Sequence, residues 1–90
     1  SPCRFNEDNI LDEIRDHIYE TYSGHYSRGI QTTEFIMSHA KNFDYLKGNV
    51  IKYIARYGHK EGFNRRDLLK ALHYIILMMH YEPTLTETKE

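Results

Sequence analysis

Ninety residues with 40% apolar and 28% charged side chains have the composition of one small globular domain. A single cysteine, Cys3, excludes an internal disulfide and fits a reducing cytoplasm. A net charge of −1 argues against a long nucleic acid as partner. The lack of any apolar run near the ~18 residues of a membrane span argues against a bilayer.

Residues 1–7 read as an N-terminal arm. Asn6 or Asp8 can cap a first helix expected from about 8 to 22, with Ile10, Leu11, Ile14, Ile18 and Tyr22 as its apolar stripe. Ser23 to Gln31 reads as a polar connection. It holds His25 and Tyr26, and a tyrosine there can stack on any nucleobase. Thr32 or Thr33 is expected to cap a shorter second helix, with Phe35, Ile36, His39, Ala40 and Phe43 facing inward.

The central helix is expected to begin at an Asp44 cap and to close at Gly58 in a left-handed conformation. Leu46, Val50, Ile54 and Tyr57 form one of its stripes. Asn49, Lys52 and Arg56 form another row, with Lys60 four residues on. Gly48 inside this helix is either a tolerated defect or a place of close approach. The last helix is expected from Arg65 to about Tyr81. Asn64 and Asp67 have the spacing of a capping box, and Leu68, Leu72, Ile75, Ile76 and Met79 make the core stripe. Pro83 is expected to end the order, leaving 8–82 as a single helical domain and 83–90 as a flexible tail. The fold class is all-α: three to four helices with a central antiparallel helical hairpin.

Charge is uneven along this plan. Residues 41 to 70 carry eight of the twelve basic side chains against three acids, a local excess of +5. A positive patch on a near-neutral chain suits a small anion, and phosphate is the commonest ligand for a row of amide, ammonium and guanidinium donors. The competing reading of Asn49, Lys52 and Arg56 is a solvated basic face.

Several chemistries lack their motifs. There is no G-x-x-x-x-G-K-[ST] loop, no H-E-x-x-H and no cysteine pair, so no metal site is expected and no catalytic residue is assigned.

The His25-Tyr26 pair, the run Leu46-Lys47-Gly48-Asn49-Val50-Ile51-Lys52-Tyr53 with Arg56-Tyr57 and Lys60, and then Asp67-Leu68, Lys70-Ala71 and Tyr74 resemble a small family of tailed-phage proteins. Its signature is an H-Y pair, a G-N-x-x-K-Y helix and a D-L-x-K-A helix, and it includes a coliphage nucleotide kinase without a P-loop. The resemblance implies a nucleotide ligand held by His25, Tyr26, Asn49, Lys52, Arg56, Lys60, Asp67, Lys70 and Tyr74. Gln31 stands where many relatives carry an acid, and His59 where many carry a lysine.

Two functions from different classes follow. In the preferred one the chain sequesters a nucleotide, or a cyclic-nucleotide or cyclic ADP-ribose-like signal, in the cytoplasm of an infected bacterial host. Binding then needs no cofactor. In the alternative it is a nucleoside monophosphate kinase that uses ATP and Mg²⁺. A structural adaptor without a ligand is a weaker third. A homo-oligomer is expected in each case, because a small core and one hairpin do not enclose a nucleotide.

Overall fold

The computed structural model describes residues 3–24, 27–40 and 42–87, with side chains described as far as Glu82. Four α-helices are present among them and no strand: α1 (Glu7–Thr21), α2 (Ser27–Ala40), α3 (Phe43–Arg56) and α4 (Arg65–Glu87). The chain divides into two compact units, Ser1–His39 and Ala40–Glu90.

In the first unit, α1 follows its expected course. Asn6 precedes it at φ +64, and its Oδ1 accepts from Asn9 Nδ2 at 2.6 Å rather than capping a backbone N–H. Glu7 and Asp8 place negative charge where the helix dipole favours it. Ile14 is the buried member of the expected stripe, while Leu11 and Tyr22 are exposed.

Helix α2 starts at Ser27, five residues before the expected threonine caps. The Ser27 hydroxyl donates to the Gly24 carbonyl, and Gly29 is accepted inside the first turn, a cost of roughly 1 kcal/mol relative to alanine. Its inner face is also displaced from expectation. Ile30, Thr33 and Met37 are buried, whereas Phe35, His39 and Ala40 are exposed. Phe35 and His39 stack on each other outside, centroids 4.2 Å apart. Thr33 is buried at no polar cost because its hydroxyl donates to the Gly29 carbonyl.

The second unit is the antiparallel hairpin of α3 and α4. Asn42, not Asp44, caps α3: its side chain accepts from the Tyr45 N–H at 3.3 Å, and Asp44 falls in the first turn. The helix ends at Arg56, Tyr57 is its C-cap, and Gly58 follows at φ +88. The connecting loop folds back through the Gly58 N–H, which donates to the Gly62 carbonyl at 2.8 Å.

Asn64 caps α4 by accepting from the Arg66 N–H at 2.9 Å. The other half of the expected capping box is absent, because the Asp67 carboxylate turns to Arg56 instead. Helix α4 also runs through Pro83 to Glu87 rather than stopping near Tyr81. A proline deletes one backbone donor and strains the preceding turn, but it does not oblige the chain to leave the helix.

Leu46 is wholly enclosed and Ala71 is 2% exposed. The face that α4 turns to α3 carries Asp67, Lys70 and Tyr74, each in contact with an α3 side chain. The expected core stripe of α4 is therefore only partly inside: Leu68 and Leu72 are half-buried, and Ile75, Ile76 and Met79 are exposed. On α3, Ile54 of the expected stripe is likewise 53% exposed.

Candidate anion site

The row predicted on α3 does not survive as a row. Asn49 is 9% exposed, and its Nδ2 donates to the Tyr45 carbonyl at 2.8 Å. That amide secures its own helix. Arg56 is taken up by two carboxylates. Its Nε lies 3.5 Å from Asp67 Oδ1, and its Nη2 lies 3.5 Å from Glu61 Oε2. Asp67 is 2% exposed, so a ligand does not reach it directly. The Arg56–Asp67 contact is an ion pair without hydrogen-bond alignment: both Arg56 Nε and Asp67 Oδ2 are buried without a hydrogen-bond partner.

What remains is Lys52, and α4 brings it a companion. Lys52 Nζ stands 4.5 Å from the centroid of the Tyr53 ring, and Lys70 Nζ stands 5.2 Å from the same centroid. The Arg56 guanidinium carbon lies 5.8 Å from it. Tyr74 packs against Tyr53 at 6.0 Å and 21°, so the second ring buttresses the first. Neither lysine has a carboxylate partner among the described residues. Arg56 is compensated and the two ammoniums are not.

The helical repeat explains this layout. Lys52 precedes Arg56 by four residues and Lys70 follows Asp67 by three, so in an antiparallel hairpin the two pairs lie one turn apart on the same flank. One pair joins opposite charges and fixes the end of the hairpin. The next brings two like charges to one aromatic ring. Each cation–π contact returns roughly 0.5–1 kcal/mol at an exposed site, a weak compensation for two positive charges brought to one ring. An anion held by both ammoniums would offset this charge.

The remaining predicted residues separate from this group. His25 and Tyr26 lie outside the described residues. Lys60 is on the exposed loop, where its N–H donates to the Arg56 carbonyl. Tyr53 is the residue that sequence reasoning missed. The signal was its place beside Lys52 in the K-Y dipeptide, but the two fall on different stripes of an isolated helix, and only α4 makes them one site. Among the described residues, no three His, Cys, Asp or Glu side chains converge as a metal site would require. Among these residues, no helix is long and apolar enough to cross a membrane.

Fold and site together define a small all-α protein whose helical hairpin gathers positive charge around one tyrosine. The chain belongs to the family described as a protein of unknown function, DUF3310, whose model matches residues 20–76. No curated protein and no solved structure matches it.

Proposed function

We propose that the chain binds a nucleotide or nucleotide-derived anion and sequesters it without turnover, with Lys52 and Lys70 holding a phosphate group. The observation that supports this is the pair of uncompensated ammoniums on the Tyr53 ring. Arg56 contributes field rather than a free fork, since its donors already face Asp67 and Glu61. The resemblance to tailed-phage proteins gives the setting: the cytoplasm of an infected bacterium, where a nucleotide-like defence signal is the target. No cofactor takes part in binding.

The working unit is a homo-oligomer. The apolar stripe of α1 offers little surface for this, because Ile14 is buried and Ile10 and Ile18 are half-buried. Ile51, Ile54, Ile75, Ile76 and Met79 on the hairpin are exposed instead and offer the larger apolar surface.

The test is chemical recovery. The protein is incubated with ATP, Mg²⁺ and each deoxynucleoside monophosphate, and separately with cyclic dinucleotides and cyclic ADP-ribose isomers. It is then denatured and the small molecules are analysed. A sequestering protein returns its ligand intact, because binding that does not favour the transition state gives no turnover. Diphosphates in excess over protein, lost on Lys52→Ala, would replace this reading with the kinase.

A further inference from the structure

Phe63 stands in the loop between α3 and α4 and is 79% exposed. An exposed phenylalanine alone needs no explanation. This one is held in place. Its ring lies against Gly58 so closely that a Cβ there would sit 2.8 Å from Phe63 Cε1. Tyr57 meets it edge-on, centroids 5.4 Å apart at 66°. The Gly58–Gly62 hydrogen bond closes the turn between Tyr57 and Phe63. The neighbouring His59, Lys60, Arg65 and Arg66 are all exposed. The result is a preset aromatic ring, open to solvent, with Lys60 and Glu61 before it and Arg65 and Arg66 after it.

We infer that Phe63 is a stacking platform for the heterocyclic base of the ligand whose phosphate Lys52 and Lys70 hold. The inference rests on the anion-site reading above. Aromatic faces stack on any base, and a ring fixed beforehand loses little freedom on binding. Tyr57 lies four residues beyond Tyr53, about one helical turn or ~6 Å along the hairpin. Phe63 is beside Tyr57. The platform is thus one ring contact beyond a residue about one helical turn from Tyr53, the ring that both lysines face. Tyr74 already has its ring against Tyr53.

Calorimetry with inorganic pyrophosphate and with ADP tests this on wild type, Phe63→Leu, Phe63→Tyr and Lys52→Ala, each checked by thermal melting and by light scattering. Phe63→Leu should weaken ADP about tenfold and change pyrophosphate less than twofold, and Phe63→Tyr should behave as wild type. Lys52→Ala should weaken both ligands. ADP affinity unchanged in Phe63→Leu overturns the platform, as does an equal loss for both ligands. A fall in assembly mass with unchanged ADP affinity assigns Phe63 to a contact between copies and also overturns it. Pyrophosphate that fails to bind, or binds equally to Lys52→Ala, overturns the anion reading and the platform with it.

Discussion

Arg56 holds its Nε 3.5 Å from a carboxylate oxygen of Asp67, whose side chain is 3% exposed, so removing the guanidinium strands a buried charge. Arg56→Ala should cost about 3 kcal/mol in urea unfolding, the low end for breaking a buried pair because the arginine keeps partial solvent contact. Replacing both partners, Arg56→Met with Asp67→Leu, should recover most of that loss. A single variant as stable as wild type would show that the pair does not fasten the hairpin. Arg56 therefore makes a poor probe of ligand binding, since its removal changes the fold as well. From sequence, spacing alone put Asn49, Lys52 and Arg56 in one row. Which of them had already found partners was not legible. Tyr45, Glu61 and Asp67 supply those partners; Glu61 lies in the loop and Asp67 beyond it, outside any helical repeat of α3.

At the scale of the elements, the loop and the cap fix how the hairpin turns. Gly58→Ala combines a left-handed φ with a collision against the Phe63 ring, and should destabilise by more than about 1 kcal/mol in thermal or urea unfolding. Asn64→Ala should cost about 1 kcal/mol through the lost cap on the Arg66 N–H. Equal stability of both variants with wild type would mean that the turn is set elsewhere. Helix α1 was legible from its first-turn acids and apolar spacing, and the start of α4 from the Asn64 cap. Helix α2 was not, since Ser27, Gly29 and Gln31 read as a loop by composition while the chain winds through them. In α4 the period chose the wrong face because Leu68, Leu69, Leu72, Ile75, Ile76 and Leu77 surround most of the helix. The face that meets α3 is marked by two charges and a tyrosine: Asp67, Lys70 and Tyr74.

For the molecule as a whole, light scattering at micromolar concentration should give a multiple of 10.8 kDa, and a monomer mass would remove the assembly from the account. The all-helical class and the antiparallel hairpin could be read from periodicity and breaker residues. The lysine pair could not, because it joins residues eighteen apart in sequence through a register that only packing sets. The most direct measurement is a paired titration and melt of Lys52→Ala and Lys70→Met at low salt, with pyrophosphate as ligand. Each substitution should weaken binding by at least tenfold, the loss of a charge-assisted contact of about 1.5–3 kcal/mol. Each should also leave the unliganded protein as stable as wild type or slightly more so, because like charges no longer meet at Tyr53. Undiminished affinity in folded variants, or a loss of stability that accounts for the loss of binding, would contradict an anion site at this pair.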